Sequence, residues 1–402
     1  MLGVAVRIAQ RLGLDNEATF AKCSVLEAEM RRRLWWSLVM FDNRMCEMSH
    51  YGSSSLTPIW RCNPVSNLND ADLRSEMREA PKPYDRPTEA IFVAIRCEVG
   101  DFIRHSSFHL DLTNPAMKPL ARRSQHGAVT EAEEMVMFAD MLEDKYIRLC
   151  ELENPLHFVA AWSTRGFVAR IRLLEHYAAS SRSTTTVTDE HRDAAVGHAL
   201  RMLKCDTELM TAPHVKRFVW FAHVHFPAPA YIHIVQDLKK RPLQSQADEC
   251  WAAMGSNYEA RFKHEHPGMN PFFGILTNII LQAWQVREKA FADNDQPLGT
   301  SSMVEDIRQK TQRPSGFEQA GDPVSIASRC RNDASFLPDA TGCPRLDSAT
   351  VQNGQPTSSF QTGGYSSMLD QDFDMTYFDW NSMDWNPMLN PGFASPSTNQ
   401  WP

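Results

Sequence analysis

The chain has no cysteine cluster. Its nine cysteines, Cys23, Cys46, Cys62, Cys97, Cys150, Cys205, Cys250, Cys330 and Cys343, are scattered, and no two stand as C-x-x-C. That excludes a cysteine-rich metal knuckle and points to a reduced, intracellular compartment. Nucleotide and hydrolase fingerprints are also missing: there is no Gly-rich phosphate loop, G-x-S-x-G or H-E-x-x-H. No residue is therefore nominated as catalytic, and no cofactor is expected. No window approaches an uncharged membrane-spanning length, since His223, His225, Pro227, Pro229 and His233 interrupt the most apolar one, 218–235. The N-terminus lacks a signal-peptide core, so no membrane association is expected. Basic excess is absent too: 41 Lys and Arg face 49 Asp and Glu, a net charge of −8, which is no electrostatic footprint for nucleic acid.

The acidity is local. From Leu346 onward there is no Lys, Arg, His or Glu, only Asp347, Asp370, Asp372, Asp374, Asp379 and Asp384, which supply six of the eight excess negative charges. The remainder is nearly neutral. At 402 residues the chain has room for one large or two ordinary domains.

Helical periodicity dominates as far as Asp293, with no βαβ alternation and no internal repeat. The fold class expected is all-α: a multi-helix array over 1–293, followed by a tail over 294–402. Residues 56–84, rich in Pro, Asn and Asp, read as an ordered loop crossing the surface. Helix follows over 91–108 through Phe92, Ile95, Val99 and Phe102, and a loop over 114–128. Thr130 and Glu133 form a capping box that opens a helix through Met137, Met141 and Leu149. Asn154-Pro155 starts the next, with a stripe of Leu156, Val159, Ser163, Phe167, Ile171, Leu174 and Tyr177. Ser180 to Thr188 is a polar hinge. Further helices are expected over 189–210, after Pro213, over 246–262 and over 271–291. From Asn294 Gly, Pro, Ser, Thr, Gln and Asn take over, a composition too polar to offset chain entropy, and disorder is expected to the end.

Two N-terminal helices carry the clearest patterns. In the first, Val4, Ala5, Ile8, Ala9 and Leu12 share a face, and Gly13 is placed to end the helix in the left-handed conformation with Leu14 folding back. In the second, Ser24 and Glu27 make a capping box, and Met30, Leu34, Leu38, Phe41, Met45 and Met48 recur at spacings of three and four. That spacing predicts a core-facing stripe, widened by Trp35, Val39 and Cys46. Asp42 falls on the widened sector and must find an Arg or a backbone N–H, which makes it structural rather than a catalytic acid. Arg31, Arg32 and Arg33 fan over about 200° of the helix and cannot enter one groove together. With Glu27 and Glu29 at helical spacing, they read as a solvated face with internal ion pairs rather than a DNA contact.

Within the tail, 366–389 reads SSMLDQDFDMTYFDWNSMDWNPML, aromatic and aliphatic residues interleaved with aspartate. Acidic-hydrophobic alternation of this kind is the composition of activation segments: repulsion among carboxylates keeps the aromatics apart and free to enter a partner's apolar cleft. The residues expected to bind a coactivator are Phe373, Tyr377, Phe378, Trp380 and Trp385, with Asp372, Asp374 and Asp379. The alternative is that the segment folds back on the helical body. His223 with His225, and His264 with His266, are the paired imidazoles. At i and i+2 on a helix they point about 200° apart, so no metal site is expected from either.

Glu27 and Glu29 leading into Arg31-Arg32-Arg33, Leu34-Trp35-Trp36, Phe41-Asp42, Arg44 and then Gly52 make the most specific order in the chain. Upstream lies the run from Ala5 to Leu14, and downstream Asn69-Asp70-Ala71-Asp72-Leu73. Together they resemble the fungal-specific transcription factor domain, the middle region of fungal zinc-cluster regulators. The resemblance is carried by residues 1 to 100 and weakens over 51–69, where Pro58 and Pro64-Val65 replace the more regular pattern. It implies an all-helical regulatory module in a nuclear protein that controls nutrient or secondary-metabolite genes, senses metabolites and makes dimer or partner contacts. DNA reading in that family belongs to a zinc cluster of six closely spaced cysteines, which this sequence lacks. Zinc is therefore implied only if such a cluster lies upstream. The partners implied are transcription coactivators, with a DNA-binding partner or a homodimer. Two alternatives stand beside this reading: the same kind of protein with a gene start placed too late, and an all-α ligand-binding protein or enzyme.

Overall fold

The structure is a computed structural model and describes residues 1–48, 56, 59–77, 79–106, 130–182, 188–263 and 271–312. Among them there is no strand, only an isolated bridge between Asn16 and Arg61. The helices are α1 (Leu2–Arg11), α2 (Val25–Met48), α3 (Ile91–His105), α4 (Glu131–Lys145), α5 (Pro155–Arg182), α6 (Asp189–Thr211), α7 (Val219–Val224), α8 (Ala228–Lys240), α9 (Ala247–Phe262), α10 (Pro271–Asp293) and α11 (Ser302–Gln312). The expected all-α class is what the molecule has. Local chemistry sets most boundaries. Gly13 takes φ +70° after α1, where its amide and that of Leu14 return to Gln10 and Ala9. Thr130 and Glu133 form the reciprocal capping box of α4, and Thr188 caps α6.

Three apolar clusters follow the chain. The first joins Val6 and Ala9 of α1, Trp35, Trp36 and Val39 of α2, Trp60, Cys62 and Val65 of the long connection, and Cys97 of α3. Trp60 meets Trp35 and Trp36 edge-on at 5.9 and 6.3 Å. Gly100 lets α3 approach α2: a Cβ there would lie 2.9 Å from Met40 Sδ and 3.2 Å from the Trp36 ring. The second cluster packs α3, α4 and α5 around Met40, Ile95, Met135, Leu142 and Ile171. The third closes the ends of α5 and α6 over Val215 and Phe221. Helices α5 and α6 share the most extensive helix pairing among the described residues; α8 and α9 pack onto α6, and α10 packs onto α8. That half is pinned by a buried polar network. Asp206 on α6 accepts from Arg261 Nε at 2.5 Å and from Asn257 Nδ2 at 2.7 Å, and Tyr231 Oη donates to Asn257 Oδ1 at 2.9 Å.

The orientation of α2 is the main departure from expectation. Met30, Leu34, Phe41 and Met45 on α2 are exposed, the first three by about half. Leu38 is partly buried, and the side chains of Cys46 and Met48 lie outside the described residues. The buried face is the opposite one: Ala28, Glu29, Trp35, Trp36, Val39 and Met40. On α1, Val6 and Ala9 are buried, while Val4, Ile8 and Leu12 face outward. The two tryptophans bring more area per residue than the Met/Leu stripe, and the face they occupy also carries the acids that the connection needs.

Other corrections are smaller. The inner stripe of α4 is Met135, Leu142 and Tyr146, at spacings of seven and four; Met137 lies on the outer side, and Leu149 beyond the helix is exposed as well. The connection expected to cross the surface is instead threaded through the core by Leu56, Trp60, Cys62, Val65, Leu68 and Leu73. Helix α11 lies where unbroken disorder was expected, and Met303, Val304 and Ile307 are buried on its inner side. Tyr258 donates to Asp306 at 2.7 Å, a tie across 48 positions that local composition does not reveal. Most of the hinge, residues 183–187, and the loop over 114–128 lie outside the described residues; α5 runs on to Arg182.

Truncation separates the two faces of α2. Trp36→Ala should cost about 3–5 kcal/mol in urea unfolding. Leu34→Ala, on the outward stripe, should cost less than about 0.5 kcal/mol. The reverse ranking would place the stripe in the core.

Candidate functional site: the outer face of α1 and α2

The inner face of α2 is tied by charge to the connection that follows it. Glu29 is 1% exposed. It accepts from Arg32 Nη1 at 3.1 Å and from the Ser66 amide at 3.1 Å, with Arg33 Nε 3.7 Å away. Glu17 accepts from Arg32 Nε at 3.1 Å and from the Asn63 amide at 3.1 Å. Arg33 bonds Asp70 at 2.6 Å, and Arg31 bonds Glu27 at 2.8 Å. Trp36 Nε1 donates to the Asn63 carbonyl at 2.8 Å. The internal ion pairs expected for the triple arginine are all present, but Arg32 and Arg33 are largely covered rather than solvated. These guanidinium groups serve carboxylates of the same chain and are not laid out to meet phosphates. Burial alone would raise the Glu17 carboxyl; hydrogen bonds from Arg32 and from the Asn63 amide outweigh it and hold it below its ordinary value.

Asp42 is buried and accepts from the Leu56 amide at 3.2 Å, which is the backbone partner its position called for. Arg44, also buried, donates from Nε to the carbonyl of Val224 at 2.9 Å, joining α2 to the end of α7.

With its acids and tryptophans turned inward, α2 presents Met30, Leu34, Phe41 and Met45 to the outside. The outer stripe of α1, Val4, Ile8 and Leu12, approaches it where Arg31 Nη1 reaches the Leu12 carbonyl at 3.4 Å. Arg7 and Arg11 stand exposed on α1, a helix without an acidic residue, and form no ion pair with any described residue. The surface is thus apolar with a cationic margin. Scattered exposed leucines are ordinary, whereas seven large apolar side chains on two adjoining helices suit a macromolecular partner.

The candidate residues of the tail, Phe373, Tyr377, Phe378, Trp380, Trp385, Asp372, Asp374 and Asp379, lie outside the described residues, as do His264 and His266. His223 and His225 belong to no metal-binding group, and none is formed among the described residues. The His225 ring packs against Phe167 and Phe221 at 5.1 and 4.4 Å, where burial, with Arg44 and Arg96 nearby, keeps it neutral. The cavity beside it, lined by Trp162, Phe167, Arg170 and Asp206, holds only about 60 Å³, space for water rather than an organic ligand.

A larger cleft of about 240 Å³ lies between α5, α6 and α8, lined by His176, Tyr177, Arg192, His233, Asp237 and Lys240. Tyr177 Oη and His233 Nδ1 are 2.8 Å apart. Burial lowers both His176 and His233, the latter to about 4, so both imidazoles are neutral hydrogen-bonding groups at physiological pH. The residues come from three helices and share no local spacing, so no sequence pattern announces the cleft.

The outward stripe could have been recognised in the sequence, since Met30, Leu34, Phe41 and Met45 were picked out there. Its direction could not, because only the distant amides of Asn63 and Ser66 say which face of α2 turns inward.

Comparison with known proteins finds similarity to fungal regulators of transcription. It is 48% identical over 313 residues to the transcriptional regulator AacuB of Aspergillus aculeatus, a match covering 77% of this chain and 42% of that protein. It is 38% identical over 401 residues to the transcriptional regulator nsrM of Aspergillus novofumigatus, covering 96% of this chain and 54% of the relative. A match of 25% over 293 residues links it to the aurofusarin cluster transcription factor aurR2 of Gibberella zeae, covering 71% of this chain. The chain spans about half the length of the curated relatives it matches. No family model matches it, and no solved structure does. These relatives are named as regulators of transcription, and none as an enzyme.

The carboxylate staple gives a pH test. Because Glu17 titrates below its ordinary 4.5 in the folded protein, its contribution is complete above that pH and fades as the pH falls through the folded value. Glu17→Gln should therefore lower the urea midpoint at pH 7 and flatten its decline between about pH 5 and pH 3. Parallel wild-type and variant profiles would show that Glu17 carries no linkage.

Proposed function

We propose that this chain is the regulatory part of a nuclear fungal transcription regulator that governs a secondary-metabolite gene cluster. The observation that carries the reading is the match to nsrM, which covers so much of the chain that it must include most of residues 313–402 as well as the helices. The name of aurR2 attaches that relative to a metabolite cluster, and a further relative, from Pyricularia oryzae, is named a pyriculol/pyriculariol biosynthesis cluster transcription factor. The regulatory domain occupies 1–293 together with the packed residues of α11, and the tail follows to 402, with 366–389 as the activating segment. Its work is done through proteins: coactivators take the tail aromatics, and DNA contact comes from a partner, from a second copy or from a zinc cluster in another part of the protein. The pairing of Arg31, Arg32 and Arg33 with Glu27, Glu17, Glu29 and Asp70 supports a body that does not itself grip DNA. No helix among the described residues is long and apolar enough to cross a membrane.

Fusing residues 366–402 to an unrelated DNA-binding domain tests the activating role in a fungal reporter strain. The fusion should drive the reporter well above the DNA-binding domain alone, and Trp380→Ala with Trp385→Ala should remove most of that gain. A silent fusion, present in the nucleus at normal levels, would overturn it.

A further inference from the structure

The outer face of α1 and α2 needs an occupant, and its charge selects one. Val4 and Ile8 on α1, Leu12 just after it, and Met30, Leu34, Phe41 and Met45 on α2 are all exposed, and the two helices meet where Arg31 reaches the Leu12 carbonyl. Arg7 and Arg11 border them without an ion-pair partner among the described residues. An isologous contact with a second copy would set these cations against an identical unneutralised margin, which favours a partner that brings carboxylates together with large apolar groups.

Residues 374–389 of this same chain have that composition. Asp374, Asp379 and Asp384 alternate with Met375, Tyr377, Phe378, Trp380, Met383, Trp385, Met388 and Leu389, and no Lys, Arg or His lies among them. The 61 residues between Gln312 and Asp374 span at most about 200 Å when fully extended, so chain length does not restrict access to any face of a body this size. We propose that residues 374–389 dock on the α1–α2 face, aromatics over Ile8, Leu12, Leu34 and Phe41, carboxylates on Arg7 and Arg11. This rests on the tail reading above, since coactivator and α1–α2 face would then compete for the same aromatic side chains.

Hydrogen exchange followed by mass spectrometry on the full chain tests it, with a synthetic 374–389 peptide as reference and sedimentation measured across a concentration series. In the wild-type monomer the amides of 374–389 should exchange at least about tenfold more slowly than in the peptide, an opening free energy of about 1.4 kcal/mol. Ile8→Asp with Leu34→Asp should abolish that protection, and so should Arg7→Glu with Arg11→Glu. All four side chains are exposed, so both variants should keep the wild-type helical content and melt cooperatively, with the midpoint lowered only by the loss of docking. Peptide-like exchange in the wild type would overturn the proposal. Protection that survives both variants would place the segment elsewhere and overturn it too. Protection of α1 and α2 that disappears on dilution, with dissociation of a dimer, would assign the face to a second copy. Exchange reads contact rather than transcription, so a silent reporter fusion and an undocked segment are separate outcomes.

Discussion

A buried carboxylate organises the N-terminal third of the molecule. Glu29 has almost no contact with solvent, and its burial is tolerated because Arg32, Arg33 and the Ser66 amide surround it. Glu17 repeats the arrangement one layer out, holding Arg32 on one side and the Asn63 amide on the other. The segment from Trp60 to Leu73 has no regular structure except a single 3-10 turn, yet its apolar side chains enter the core. A buried irregular segment needs partners for its backbone groups, and α2 supplies them from its acids and from Trp36. Once these bonds are made, the rotation of α2 about its axis is settled.

This explains which features could be read from the sequence and which could not. Fold class, most helix boundaries and the caps at Thr130 and Asn154 follow from signals a few residues long, and they stand where those signals put them. Expectations resting on periodicity alone divided. Ile95 and Val99 on α3, and Val159 and Ile171 on α5, are inward as read. On α2 the same reasoning selected the outward face, because periodicity ranks residues by hydropathy and α2 has two candidate faces. One is a Met/Leu/Phe stripe; the other carries two tryptophans together with paired charges. Partners 15 and 37 positions away decide between them. Helix α11 escaped notice for a related reason: a few apolar residues in a polar stretch become helical through contact with α9 at Tyr258.

The C-terminal half solves a similar problem by different means. Asp206, Arg261, Asn257 and Tyr231, all buried, join α6, α8 and α9 through hydrogen bonds, and Arg261 also reaches the Ala222 carbonyl at 2.9 Å. Arg44, from the other end of the chain, bonds the carbonyl of Val224 two residues further on. The end of α7 is thus a place where α2 and the α6–α9 network meet.

Turning the aromatic and ionic face of α2 inward has one more consequence. The residues that hold the fold and the residues that meet the outside lie on opposite sides of one helix. Exchanges among methionine, leucine and phenylalanine at positions 30, 34, 41 and 45 alter the shape offered to a partner while leaving the tryptophan and carboxylate contacts intact. A lineage of such proteins could therefore change its associates by drift on one side of α2, at little risk to folding, whereas any change on the other side puts both at stake.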